Sequence, residues 1–111
     1  MVSWKIVLIY LENVVNTSEI ILDSKAGESN KYLDINVPVD FGYLKNDWNE
    51  NNQIDIFVGS SRDTALESII CTLDLQHKFT DLKVLYKCTF EEKNTIFSIL
   101  NRKEGVLLIN K

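Results

Sequence analysis

Two long runs of alternating residues between Ile69 and Phe90 constrain this chain more than anything else in it. From Ile69 to Phe79 the odd positions read Ile, Cys, Leu, Leu, His, Phe, with Thr72, Asp74, Gln76 and Lys78 between them. Thr80-Asp81 interrupts the pattern. It resumes with Leu82, Val84, Tyr86, Cys88 and Phe90 on one face and Lys83, Lys87 and Thr89 on the other. A period of two marks a strand with one buried face. Two such runs two residues apart predict a β-hairpin turning at Thr80-Asp81, or through a loop of three or four residues. A helix over 64–77 competes, because Leu66, Ile69, Ile70 and Leu73 share a helical face behind a capping box at Thr64 and Glu67. It would leave Leu75 and Phe79 on its polar side, so the strand is preferred.

The flanking segments extend this pattern. Trp4 to Leu11 is apolar on both faces and rich in Ile, Val and Tyr, which predicts a central, doubly covered strand followed by a turn at Asn13–Ser18. Glu19–Asp23 reads as a short strand and Lys25–Asn30 as a loop. Tyr32–Val37 alternates again and stops at Pro38. Tyr43, Leu44 and Trp48 stand at helical spacing, predicting a short helix near 40–50 that ends in Asn49-Glu50-Asn51-Asn52. Ile54, Ile56 and Val58 begin another strand, closed by Gly59. Thr89-x-x-Glu92 is a capping box, Ile96, Phe97 and Leu100 fall on one helical face, and Gly105 is a natural residue to follow a helix end, so 91–103 is preferred as a helix before a terminal strand at 106–110. A strand over the same residues is the competing reading. The expectation is a single α+β domain over residues 1–111, mainly an antiparallel sheet with about two short helices.

Composition excludes several function classes. With 111 residues, 45% apolar and 25% charged, the chain suits one globular domain. The apolar run near the N-terminus is too short for a secretory leader or a bilayer span, so a cytoplasmic protein without membrane contact is expected. Cys71 and Cys88 read as small core residues of one inward face. The net charge of −4 is uneven. Residues 1–55 hold nine acids against four lysines, and residues 56–111 hold seven acids against eight bases. An acidic half repels phosphate backbones, so a direct nucleic acid partner is not expected and a basic protein partner is.

Catalytic chemistry finds little support. His77 is the sole histidine and shares the hairpin's apolar face with Leu75 and Phe79. No Cys-x-x-Cys or phosphate loop occurs, and no cofactor, metal or catalytic residue is assigned. The alternative to a binding protein is a small metal-dependent nuclease using Asp74, Glu91 and Lys93, an acid on one strand and a Glu-x-Lys on the next. A third reading is a structural module whose sheet edge pairs with its own copy as a homodimer.

Residues 34–55 concentrate Asp34, Asp40, Asp47, Glu50 and Asp55 around Phe41, Tyr43 and Trp48, with Lys45 the sole base. Aromatic anchors among carboxylates suit recognition of a basic protein surface. The partner-binding set read here is Asp40, Tyr43, Asp47, Trp48 and Glu50. Val37-Pro38-Val39, Phe41, Tyr43, Lys45 and Trp48, followed by the 69–90 hairpin ending in Phe90-Glu91-Glu92, resemble the immunity proteins of contact-dependent growth-inhibition systems. The resemblance covers about half the chain and contains no chemical signature. It implies a cytosolic, non-catalytic protein that binds and neutralises one cognate toxin domain, often a nuclease with a basic active-site face.

Overall fold

A computed structural model describes residues 3–46, 53–66, 68–74, 78–102 and 105–110. The elements are α1 (Trp4–Thr17), β1 (Glu19–Ser24), β2 (Ser29–Asn30), β3 (Ile35–Asn36), β4 (Asp40–Lys45), β5 (Ile54–Val58), β6 (Ser68–Asp74), β7 (Phe79–Tyr86), α2 (Phe90–Asn101) and β8 (Gly105–Asn110). Six strands form one mixed sheet in the order β1-β4-β5-β7-β6-β8, while β2 and β3 form a small separate ribbon. Every pairing in the large sheet is antiparallel except β5 with β7. The molecule is α+β, as its periodicity predicts.

Both faces of the sheet are covered, and this decides how each strand reads. Ile56, Val84, Ile69 and Ile109 pack with Leu8, Leu11, Val14 and Val15 of α1 on one face. Phe57, Leu85, Ile70 and Phe41 pack with Ile96 and Leu100 of α2, and with Val37 and Val39, on the other. Adjacent residues such as Ile69 and Ile70, or Ile56 and Phe57, are therefore all fully buried, each on its own side.

Several local expectations change for this reason. Trp4–Leu11 is helical, and α1 continues through the expected turn to Thr17, with Ser3 as N-cap accepting from the Ile6 amide. An apolar run of this length fits a strand or a helix by periodicity alone. Here Leu8, Leu11, Val14 and Val15 recur at helical spacing towards the sheet with Val7 packed beside them, while Trp4, Ile6, Ile9 and Tyr10 stand exposed. The expected helix near 40–50 is instead β4 over Asp40–Lys45, because an interior strand buried on both faces needs no alternation. The alternating segment at 32–37 contributes only Ile35–Asn36 as strand, and Asp34 adopts a left-handed conformation with φ 56.

The hairpin forms, but its turn moves. Thr80 and Asp81 lie inside β7, paired with Leu73 and Thr72. β6 ends at Asp74 and β7 begins at Phe79; His77 and Leu75 lie outside the described residues. At the other end the strand stops at Tyr86, where Lys87 takes φ 55. Cys88 then crosses to the α2 side while Cys71 stays on the α1 side, so the two cysteines do not share a face. The capping box at the start of α2 is complete: Thr89 Oγ1 accepts from the Glu92 amide at 3.2 Å, and Glu92 Oε1 accepts from the Thr89 amide at 2.8 Å.

Gly42 sets how closely the first pair of strands can approach. A Cβ built there would lie 1.8 Å from the Ile21 carbonyl oxygen and 2.8 Å from Leu22 Cα, both backbone atoms that cannot rotate away. β1 departs from regular register between Leu22 and Ser24, beside this contact. Overpacking of this kind costs about 1–3 kcal/mol in an ordinary core, and backbone has less room to yield than side chains. Gly42→Ala should lower the unfolding free energy in urea by about 3 kcal/mol. A change under about 0.5 kcal/mol would mean that β1 does not pack against β4 this closely.

Candidate functional site

The α2 side of the sheet is not apolar throughout. One cross-strand row carries Ile21, Tyr43, Asp55, Lys83 and Ile70, each the register partner of the next. Asp81 lies two residues before Lys83 on β7, hence on the same face, with Thr72 opposite it. α2 and the apolar side chains of 33–39 cover the neighbouring row of Phe41, Phe57 and Leu85. The polar row lies beside that apolar contact.

Lys83 is the centre of this row. Its expected place was the hairpin's polar face, yet only 3% of the residue is exposed. That position faces outward in an isolated hairpin and inward once the second layer of the domain is in place. Its ammonium donates to Asp81 Oδ2 and, at 3.4 Å, to Asp55 Oδ2. The two carboxylate side chains are themselves only 16% and 15% exposed. Thr72 Oγ1 donates to the Asp81 carbonyl at 3.4 Å, and Asp81 Oδ1 accepts from the Leu82 amide at 2.8 Å.

Tyr32 reaches the row from the segment between β2 and β3. Buried Asn30 shapes that segment: its amide donates to Ser24 Oγ at 2.9 Å, and its Oδ1 accepts from the Leu33 amide at 2.9 Å. The Gly27 amide donates to the Val37 carbonyl and the Val37 amide to the Glu28 carbonyl, closing the base of the excursion. The Tyr32 ring then stands with its centroid 5.8 Å from the Lys83 ammonium, within cation–π range, and remains 67% exposed. Tyr43 is half-buried beside Asp55. Two aromatic rings thus border the charged row.

The electrostatics are unbalanced. Among the described residues one ammonium serves two carboxylates, which leaves these three groups with a net negative charge in a partly desolvated place. Burial raises the Asp55 carboxyl to about 6; Lys83 opposes the shift, while Asp81 and Asp23 add to it. For Lys83, burial works to lower the pKa, but the hydrogen bond and charge of Asp81, then Asp55 and Tyr32, outweigh it and hold the ammonium above its ordinary value. A carboxylate left short of a cation partner in this way is a site at which another cation can bind.

The residues read from sequence as partner-binding separate in the fold. Tyr43 joins the charged row. Asp40 begins β4, three residues away on the opposite parity, and its Oδ1 accepts from the Ala26 amide at 2.9 Å. It lines a different cleft, of about 140 Å³, with Pro38, Val39, Val58, Ser60 and Glu92. Glu92 is already engaged there: it accepts from the Ser60 amide at 3.1 Å and the Ser60 hydroxyl at 2.9 Å. Burial would raise its pKa, but the bonds from Thr89 and Ser60 prevail and hold it low. Asp47, Trp48 and Glu50 lie outside the described residues.

The nuclease reading needs Asp74 near Glu91 and Lys93. Asp74 pairs with Phe79 at one end of β7, whereas Glu91 lies in the first turn of α2, beyond the other end. The eight residues of β7 separate them by about 25 Å along the strand. Burial pushes the Cys88 thiol up to about 12, which removes it from thiolate chemistry at neutral pH. Among the described residues no group of three or more His, Cys, Asp or Glu is placed to hold a metal ion. Nor, among them, is any helix long and apolar enough to cross a membrane. No family model matches the chain, and no curated protein or solved structure matches it.

Sequence reasoning passed over Asp55, Asp81 and Lys83 as a group. Asp55 was legible as part of an acidic segment, but its link to Lys83 depends on the parallel β5–β7 pairing between strands 28 residues apart.

The charged row has a measurable signature. Folded Asp55 keeps its proton to about pH 6, while the unfolded chain releases it near 4. The folded state binds more protons across that window, so this group lowers stability as pH rises from about 4 to 6. The raised Lys83 pKa contributes stability fully present throughout this range, so it does not mask the effect. Relative to the Asp55→Asn variant, the parent protein should lose roughly 2 kcal/mol between pH 4 and pH 7, allowing for solvent screening. Urea denaturation at the two pH values measures the difference, and parallel pH profiles would contradict the buried placement of Asp55.

Proposed function

We propose that this chain is an inhibitor of the immunity-protein kind, which binds a basic, nuclease-type toxin domain and neutralises it by covering its active surface. The observation that carries this reading is the pair of mostly buried carboxylates, Asp55 and Asp81, which among the described residues share the ammonium of Lys83 beneath Tyr32 and beside Tyr43. A basic side chain from a partner supplies the missing positive charge. Arginine suits the place best, because its planar guanidinium pairs with a carboxylate and stacks on an aromatic ring. The surplus of acids in residues 1–55 steers association with a basic face and makes it sensitive to salt.

This reading keeps Tyr43 from the set predicted from sequence and adds Tyr32, Asp55 and Asp81. It places the protein in the cytosol, where it intercepts its toxin, and it requires no cofactor and no catalytic group. The resemblance in 37–48 and in the long hairpin supports the same role.

A tagged protein incubated at low salt with lysate of its source cell, or with the product of a neighbouring toxin gene, tests the reading. The expected result is one basic protein recovered near equal stoichiometry and released at high salt. Truncating one side of a buried charge contact costs about 2 kcal/mol or more, so Asp55→Asn and Tyr43→Ala should each weaken capture roughly thirtyfold. Capture unchanged in both variants would remove this site, and no basic partner at any salt concentration would remove the inhibitor reading.

A further inference from the structure

Among the described residues, four of the seven large apolar residues that stand exposed lie on one element: Trp4, Ile6, Ile9 and Tyr10, at 51%, 60%, 54% and 56% exposure, all belong to α1. Ile6, Ile9, Tyr10 and Asn13 recur at i, i+3, i+4 and i+7, so they form one stripe. The core residues Leu8, Leu11 and Val15 occupy the opposite side of the helix. An amphipathic helix that only covers a sheet has a polar outer face. This one has an apolar outer face, and two charged residues flank it on a single side, Lys5 and Glu12.

Lys5 and Glu12 are seven residues apart, two turns and about 10 Å along the axis. Their midpoint falls beside Ile9. A two-fold axis there would bring an antiparallel copy of α1 into register with Lys5 facing Glu12 of the second copy, and Glu12 facing its Lys5. Ile9 would meet its own equivalent, and Ile6 would lie near Tyr10 of the second copy. The surface is self-complementary in shape and in charge, as an isologous contact must be.

We propose that the outer face of α1 is a homodimer interface, with α1 packed antiparallel on α1 of a second copy. One helix face supplies roughly half of the ~800 Å² that each partner contributes to a standard interface, so association falls on the order of micromolar. The interface lies on the opposite side of the sheet from the Asp55–Lys83–Asp81 row, so it stands independently of the inhibitor reading and leaves that row accessible. Each dimer then presents two acidic sites.

Sedimentation equilibrium of the whole chain at low salt, from about 1 to about 500 μM, tests the proposal against the stated affinity range. The expected result is a concentration-dependent monomer–dimer equilibrium. Ile9→Lys should raise the dissociation constant at least tenfold, with circular dichroism and the thermal midpoint of the dilute monomer unchanged because Ile9 faces outward. Lys5→Glu and Glu12→Lys, each alone, should weaken dimerisation severalfold, and the two together should restore it, because the exchanged charges again face one another. Should Ile9→Lys disturb folding, the charge exchange keeps the test intact. A monomer at every concentration would overturn the proposal. So would a dimer indifferent to Ile9→Lys, which would point to another surface such as a sheet edge, or a double variant no better than either single one. A monomer whose α1 face captures a helix from another protein would overturn it too.

Discussion

The parallel contact between β5 and β7 is the interaction on which the rest of this structure depends. It joins the three strands β1-β4-β5 to the three strands β7-β6-β8, which otherwise would be two separate antiparallel sheets. Once joined, Ile56, Phe57, Val84 and Leu85 lie at the middle of a six-stranded sheet with almost no exposure. Each half alone is a narrow three-stranded sheet, and the joined sheet is stabilised by covering both of its faces. α1 supplies one cover. α2 and the apolar residues of 33–39 supply the other.

The same contact creates the charged row. Asp55 and Lys83 meet because they are register partners across the parallel pair. The row is a local departure from an apolar layer, and such departures are disfavoured unless every charge is matched. Here the match is incomplete among the described residues, with two acids to one base, and burial, with the Asp81 charge adding to it, raises the Asp55 carboxyl to about 6. A buried imbalance maintained against its energetic cost marks a candidate functional place more strongly than surface charge does. Asp40, the one acid of the set expected from sequence that lies among the described residues, is less telling: the Ala26 amide engages it, and the neighbouring Glu92 is engaged by the amide and hydroxyl of Ser60.

The two covers differ in what they leave outside. α2 begins with a completed capping box, and Asn94 and Thr95 return hydrogen bonds to its own carbonyls on the exposed side. Phe90 is the exception, exposed at its first residue. The outer face of α1 carries Ile6, Ile9 and Tyr10 instead. Two surfaces with different chemistry, one acidic and one apolar, thus occupy opposite sides of one sheet.

Elements whose signals are local were legible in the amino-acid order. The capping box at Thr89 and Glu92 predicted α2, and strands at 19–23, 54–58 and 106–110 stand close to where alternation and β-branched residues placed them. The hairpin of β6 and β7 was legible too, although its turn lies earlier than the Thr80-Asp81 break. Segments that are apolar on both sides were not legible in the same way. In α1 and β4 the polar residues that distinguish one periodicity from the other are too few, so length and neighbours decide between helix and strand. By itself the sequence determined the α+β class, the later helix, most of the strands and the acidic character of the first half. Only the tertiary structure decided that Lys83 points inward, that Asp55 meets it, and that the apolar N-terminal segment is a helix. Each of those depends on what lies across the sheet, and a single strand carries no record of its neighbour.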